Sequence, residues 1–206
     1  MSSLELLFAT PVFRAELGQR NGKALVADLE TACLAIARED RAGQDWCTAN
    51  GYRGYTSYAS LNDLAWRDPT IAALVERLDG VVAEFARALD YDLGGRALVC
   101  DSLWINVLEP NGYHSAHIHP HAVISGTVYV TMPAGASAIR FEDPRLAMQM
   151  AAPPRRATAR RGNRTFVDVS PKPGTVLLWE SFLRHEVLLN KSEQPRISIS
   201  FNYAQK

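Results

Sequence analysis

The sequence lacks the features that mark membrane proteins, secreted proteins and most nucleic-acid-binding proteins. Twenty-two basic and twenty-two acidic side chains cancel, so no net charge attracts the chain to nucleic acid or to an anionic membrane. No apolar run approaches the roughly eighteen residues of a membrane span. No basic segment precedes the apolar start LELLF, so we expect neither a membrane span nor a signal peptide.

Cysteine is scarce, and its spacing forms no recognisable pair. Cys33, Cys47 and Cys100 are odd in number and widely separated, which favours reduced thiols and a cytoplasmic location. The length of 206 residues suits one well-buried core and is short for two full domains. We therefore expect a single domain over residues 1–206, and the oligomeric state, a homodimer included, stays open.

Residues 1–95 predict a strand followed by two supporting helices. Leu4 to Phe13 is apolar but contains Pro11, which favours a strand at a sheet edge. An amphipathic helix is expected from Asn21 to Arg41, with apolar side chains at helical spacing: Leu25, Leu29, Cys33, Ile36 and Ala37. Ala42 to Ser60 is predicted to be irregular, with a short strand near Tyr55 to Tyr58.

The second helix is expected to begin after Asp68. Asp68 is a favourable N-cap and Pro69 suits the first helical position. Gly94 and Gly95 follow the helix and end it. A helix with one apolar face normally packs on a sheet, so we assign it no chemistry.

Residues 96–206 predict strands almost to the C-terminus. Short β-branched and aromatic runs alternate with turn residues: Ala97–Leu108, Gly126–Thr131, Ala138–Phe141, Thr165–Val169, Thr175–Trp179, His185–Leu189 and Arg196–Tyr203. This pattern is typical of an all-β sandwich or barrel. With the two helices before it, the chain is predicted to be an α+β domain, mainly β.

Four of the five histidines lie within eight positions: His114, His117, His119 and His121. The fifth, His185, follows an apolar strand-like run. Imidazole is the commonest metal ligand in proteins, and residues separated by one position on an extended segment point the same way. We therefore predict that His117, His119 and His185 bind one metal, with His114 and His121 outside the coordination sphere. The alternative is an ordinary histidine-rich surface loop.

The last predicted strand carries a polar face in the pattern of a carboxylate site. Arg196, Ser198, Ser200 and Asn202 share one side of PRISISFNY. A guanidinium forms bidentate bonds with carboxylates, and a hydroxyl two residues on can add another.

With these motifs the chain resembles the 2-oxoglutarate and Fe(II)-dependent oxygenases of the double-stranded β-helix fold. The resemblance rests on His117-x-His119, the distant His185 and Arg196-x-Ser198. HIHPHAVISGTVYV, FEDPR, PGTVLLWESFLRHEV and RISISFN resemble more narrowly a bacterial group of these enzymes whose substrate is not settled. The resemblance covers residues 98–203 strongly, and it implies a jelly roll, or cupin-like, core braced by the N-terminal helices.

The resemblance also implies roles for individual residues. His117 and His185 would be the two histidines of the iron triad, and His119 stands where most of the superfamily has Asp or Glu. Arg196 and Ser198 would hold the distal carboxylate of 2-oxoglutarate, assisted by Tyr129. The implied reaction consumes O2 and 2-oxoglutarate at Fe(II) and releases succinate and carbon dioxide.

Two further features each have two interpretations. Asn106 is a polar residue in an apolar run beside Trp104, and it either is a satisfied core amide or lines the cofactor pocket. The segment Pro144 to Arg164 holds six arginines and no acidic residue. It is either a solvated loop or a mobile flap that meets an acidic substrate.

Two other classes of protein fit part of the pattern. A three-histidine cupin, such as a thiol dioxygenase, would use the same histidines without requiring Arg196 and Ser198. A non-enzymatic jelly roll could hold zinc or use the histidines structurally. The substrate, whether a small molecule or a protein, cannot be read from the sequence.

Overall fold

The computed structural model describes residues 3–18, 22–146 and 150–206. Asn21, where the first helix was expected to begin, and residues 147–149 of the arginine-rich segment lie outside these ranges. The helices are α1 (Gly22–Glu39), α2 (Arg41–Ala49), α3 (Leu64–Arg67) and α4 (Pro69–Ala88). The strands are β1 (Val12–Glu16), β2 (Gly54–Thr56), β3 (Leu98–Leu108), β4 (His114–His117), β5 (Ile124–Thr131), β6 (Ile139–Glu142), β7 (Phe166–Val169), β8 (Thr175–Glu180), β9 (His185–Val187) and β10 (Arg196–Gln205).

The strands form two antiparallel sheets. The major sheet has the order β1-β8-β5-β10-β3-β2, and the minor sheet has the order β4-β9-β6-β7. From β3 onwards the chain passes back and forth between the two sheets. This is the expected α+β architecture, a double-stranded β-helix with helices against it.

Side-chain alternation along β10 separates two hydrophobic cores. Ile197, Ile199 and Phe201 belong to the larger core, together with α1 and α4 residues. On the other face, Ser198 lies opposite Tyr129 of β5. Tyr129 belongs to the second core, between the sheets, whose other fully buried members are Ile139, Phe141, Val169, Leu177, Trp179 and Leu183. The site therefore lies inside the barrel and the helices lie outside it.

Helix α4 follows the prediction at its start. The side chain of Asp68 accepts hydrogen bonds from the backbone N–H groups of Thr70 and Ile71, at 2.7 and 3.2 Å. Among the described residues, no helix is both long enough and apolar enough to cross a membrane.

Four elements differ from the sequence prediction, and the first is the short helix α3, which was not predicted. Residues 42–60 are not wholly irregular, because α2 occupies Arg41–Ala49, capped by the carboxylate of Asp40 on the N–H of Gly43. The first strand lies later than Leu4–Phe13, since pairing with β8 begins at Val12 opposite Trp179. Strand β4 was not predicted, because its four residues are ordered by pairing with β9 rather than by any local pattern.

Candidate active site

Three histidines come together at one end of the two facing sheets. His117 ends β4 and lies opposite His185, the first residue of β9. His119 follows β4, and its backbone N–H donates to the carbonyl of Ser181 at 3.1 Å. Beyond it, His121 adopts a left-handed conformation with φ of 72°, which turns the chain into β5.

The ligand nitrogens of His117, His119 and His185 all lie within 4.8 Å of one another. The Nε2 atoms of His119 and His185 are 3.3 Å apart. Two neighbouring ligands of one ion, with metal–nitrogen bonds of about 2.1 Å at a right angle, would be about 3.0 Å apart. The arrangement therefore fits a shared metal ion.

Hydrogen bonds fix which ring nitrogen is free for a metal. The Nδ1–H of His117 donates to the carbonyl of Ser115 at 2.7 Å, and the Nδ1–H of His185 donates to that of Leu183 at 2.9 Å. Since a carbonyl can only accept, Nε2 of each ring keeps its lone pair.

Burial keeps two of these rings in the form that binds metal. It lowers the pKa of His119 to about 4, and the charge of His117 adds to the effect. Burial lowers the pKa of His185 to about 3, again with a smaller contribution from His117. Both rings are therefore neutral near pH 7, and neutral imidazole is the ligating form.

The remaining two histidines have different surroundings. Nε2 of His114 is 2.7 Å from the hydroxyl of Tyr52, and neither residue joins the three-histidine group. His121 is exposed.

Arg196 is the most unusual charged group in the barrel. Its side chain is 1% exposed, and its Cζ lies 5.2 Å from the centre of the Tyr129 ring. Nη1 donates to the hydroxyl of Ser198 at 3.1 Å. Among the described residues no carboxylate pairs with it, and burial lowers the pKa of Arg196. A buried, unpaired cation is costly unless an anion binds there.

Several buried polar atoms inside the barrel also lack a partner among the described residues. They are Nε of Arg196, the hydroxyl of Tyr129 and the indole Nε1 of Trp179. Trp179 packs against His185, with ring centres 4.7 Å apart. Unpaired donors of this kind are rare in a finished core, and those of Arg196 and Tyr129, whose side chains lie together, can donate to one anion.

Asn106 lies in a hydrogen-bonded row on the inner face of the major sheet. Its Oδ1 accepts from the hydroxyl of Thr56 at 3.0 Å, and its Nδ2 donates to that of Ser200 at 3.2 Å. It also lies opposite Ser198. Asn106 is therefore a buried, hydrogen-bonded amide beside Ser198.

Some residues around the histidines were not singled out from the sequence. Trp179 and Phe141 pack on His185, and Tyr52 bonds His114. Trp104, noted in the sequence only as a neighbour of Asn106, packs on His119 with ring centres 5.7 Å apart. Aromatic residues in strands are usually core, so only the way the two sheets bring distant strands together identifies these contacts.

The chain is similar to proteins of one enzyme family. Residues 102–202 match the family model described as “Putative 2OG-Fe(II) oxygenase”, where 2OG is 2-oxoglutarate. No curated protein matches the chain.

Three solved structures show the same fold. A Pseudomonas putida prolyl-4-hydroxylase has a TM-score of 0.57 and 13% identity, over 96% of this chain and 89% of the other. The epimerase SnoN of nogalamycin biosynthesis, in complex with Fe3+, alpha ketoglutarate and nogalamycin RO, has a TM-score of 0.64 and 14% identity, over 95% and 79%. AviO1 from Streptomyces viridochromogenes Tue57 has a TM-score of 0.59 and 14% identity, over 95% and 90%.

Proposed function

We propose that this 2OG-Fe(II) oxygenase, whose family domain spans residues 102–202, is a dioxygenase that hydroxylates its substrate while 2-oxoglutarate is converted to succinate and carbon dioxide. The family uses Fe2+, 2-oxoglutarate and O2. One observation carries the assignment of the site: a buried guanidinium that has no carboxylate partner in residues 3–18, 22–146 and 150–206, in the same barrel as three clustered histidines.

His117, His119 and His185 would hold the iron. Their nitrogens lie close enough to share one ion, and carbonyl groups orient the rings of His117 and His185. All three ligands are neutral when deprotonated, so they leave the double charge of the iron uncompensated and favour the binding of an anion beside it. When bound, iron supplies the redox chemistry that couples O2 to decarboxylation of the keto acid.

Arg196, Ser198 and Tyr129 would hold the distal carboxylate of 2-oxoglutarate. The Nε–H of Arg196 and the O–H of Tyr129 are donors without a partner in the described part of the chain. Ser198 accepts from Arg196, so its own O–H remains available for the carboxylate. Asn106, opposite Ser198, would line the same pocket. Its hydrogen bonds with Thr56 and Ser200 would hold the polar side chains of the pocket in place.

Burial gives these contacts their strength. Arg196, Ser198 and Tyr129 are each at most 1% exposed, so water competes little for their hydrogen bonds. A charge-assisted pair in such a pocket orients the keto acid towards the histidines and keeps solvent out of the reaction.

The test is titration of 2-oxoglutarate into the anaerobic Fe(II) protein, followed by the metal-to-ligand absorption band. Hydrogen bonds to charged groups contribute about 1.5 to 3 kcal/mol, so Arg196→Ala should weaken 2-oxoglutarate roughly ten- to a hundredfold. Arg196→Lys keeps the charge without the planar fork and should recover part of the affinity. Arg87→Ala, at an exposed position of α4, is the matched control and should leave affinity unchanged.

Two results would reject this function. Absence of the band in the wild-type Fe(II) protein would favour a three-histidine cupin that uses no keto acid. A purified protein that contains zinc and does not bind 2-oxoglutarate would favour a non-enzymatic jelly roll.

We also propose that residues 1–206 act as a single cytoplasmic domain. In support, β1 and β2 pair within the same sheet as the core strands. All three cysteines are free thiols, as is usual in a reducing compartment.

A further inference from the structure

The connection between β6 and β7 concentrates positive charge. Residues 150–164, called here the arginine loop, contain Arg155, Arg156, Arg160, Arg161 and Arg164, and no acidic residue. All five are exposed, and among the described residues none forms an ion pair with a carboxylate. The protein has no net charge, yet five arginines without an ion pair among the described residues lie together on this connection.

The two ends of this connection meet the sheet at the level of the metal histidines. Phe141 of β6 lies opposite His185. The N–H of Glu142, the last residue of β6, donates to the carbonyl of Arg184 at 3.0 Å. Phe166, the first residue of β7, lies opposite Glu142. The arginine loop therefore projects from the end of the barrel that carries His185.

A groove of about 440 Å3 lies between the bases of this connection and His185. Leu146 and Phe166 line it from the two sides of the connection, and Ala116 lines it from β4. Its charged walls neutralise each other, since Arg184 pairs with Glu142 at 2.9 Å and Arg140 approaches Glu186 at 3.6 Å. The groove is thus nearly neutral, and the loop beside it is strongly positive.

We propose that the arginine loop binds an acidic stretch of a polypeptide substrate, while neighbouring residues of that polypeptide occupy the groove beside His185. This inference rests on the proposed function, because it names the substrate class of the same site. Several cations spread over one connection suit a multivalent, extended anion better than a small acid, which one or two arginines would bind.

The acidic side chains around the groove favour polypeptide over nucleic acid. Glu142, Glu186 and Asp168 lie along its walls or on the strand beside it. A nucleic acid backbone carries a charge at every nucleotide, but Arg140 and Arg184 in the groove walls already pair with these carboxylates and offer that backbone no free cation. A polypeptide can place its acidic residues on the loop and uncharged residues in the groove.

The experiment measures fluorescence anisotropy of a labelled hexaglutamate peptide on the full chain. The test variant carries Arg155→Gln, Arg156→Gln, Arg160→Gln and Arg161→Gln. The matched control removes four exposed cations elsewhere: Lys23→Gln, Arg38→Gln, Arg87→Gln and Lys191→Gln. The test variant should lose affinity roughly tenfold or more and become less sensitive to salt, because local charge dominates such binding. The control should bind nearly as the wild type does.

A second measurement places the bound peptide. With Mn(II) in place of iron, nuclear magnetic resonance signals of the bound peptide should broaden in the wild type, because both ends of the β6–β7 connection lie beside His185. Equal peptide affinity in the two variants, or no broadening with Mn(II) bound, would overturn the inference. Tighter binding of a labelled hexathymidine strand than of the peptide would assign the loop to nucleic acid instead. The anisotropy assay needs no keto acid. Loss of peptide binding with the 2-oxoglutarate band intact would therefore count against this inference alone, and absence of the band with peptide binding intact would count against the proposed function.

Discussion

Each of the three histidines proposed to bind the metal is oriented by its own contacts. A substitution of one histidine would remove only that histidine's contacts. The rings of His117 and His185 are held by backbone carbonyls. The backbone of His119 is bonded to that of Ser181, and its ring packs on Trp104. Because each ring is oriented by a different partner, loss of one should not misplace the other two.

Replacing any one of the three histidines by alanine should therefore lower iron to well below one ion per chain, with the fold intact. Two neutral nitrogens do not hold Fe(II) firmly against water. Metal analysis after anaerobic reconstitution and desalting measures this. His121→Ala is the control, since His121 is exposed, and it should retain iron. Full iron content in all three variants would contradict the assignment.

At the scale of elements, the helices stabilise the sheet that carries the site. Ile71, Leu74, Leu78, Val82 and Phe85 of α4 are buried in the same core as the outer face of β10. The start of α4 depends on one side chain, because the carboxylate of Asp68 satisfies two backbone N–H groups.

Asp68→Ala should accordingly lower the free energy of unfolding by about 1 kcal/mol, with little change in 2-oxoglutarate affinity. Denaturant unfolding measures the loss. Asp63→Ala is a suitable control: Asp63 precedes α3 without a capping hydrogen bond, and its ion pair with Arg67 is exposed. A surface pair of this kind contributes at most about 1 kcal/mol and often nothing. Equal destabilisation by both substitutions would mean that the cap has no special role.

Elements with a strong local pattern could be predicted, and those ordered by distant pairing could not. α4 and β10 show clear periodicity, so both were located from the sequence, within a few residues at their ends. α2 was missed because its sequence, RAGQDWCTA, contains Gly, Thr and Cys and depends on the Asp40 cap and on burial of Cys47. β4 is only four residues long and exists by pairing with β9.

The site divides in the same way. His117, His119, His185 and Arg196 carry chemistry that is visible in residue type and spacing, and the structure brings the three histidines together. Tyr52 and Trp179 carry no such signal. Their roles depend on the connection before β2 reaching β4 and on β8 lying beside the histidines.

At the scale of the whole molecule, the net charge is zero, but positive and negative charges are unevenly distributed along the chain. Removing the five arginines of the arginine loop from twenty-two basic residues leaves seventeen, against twenty-two acidic ones. The rest of the chain therefore carries a net negative charge, which disfavours binding of an acidic polypeptide away from the arginine loop. Such separation directs a charged partner to one surface without attracting it to the others.

Stability of the whole molecule should depend on pH through His114. Burial, with smaller contributions from the nearby charges of Arg196 and His117, lowers the pKa of His114 to about 3. An unfolded histidine has a pKa of about 6.5. Below that pH His114 is protonated in the unfolded chain and stays neutral in the folded chain. The free energy of unfolding therefore falls as pH decreases from about 6.5 towards 3. Above pH 6.5 this contribution is constant.

At pH 5 the loss from His114 should be about 2 kcal/mol relative to pH 7.5, since each pH unit in this window costs about 1.4 kcal/mol. Urea unfolding of the metal-free protein at both pH values measures it. His114→Gln should lose about 2 kcal/mol less than the wild type over the same interval, because glutamine binds no proton. His121→Gln, which removes an exposed histidine, is the matched control. The comparison of pH dependence matters more than absolute stability, because losing the bond between Tyr52 and His114 affects stability at every pH. If the wild type and His114→Gln lose equal stability between pH 7.5 and 5, protonation of His114 does not contribute to the pH dependence.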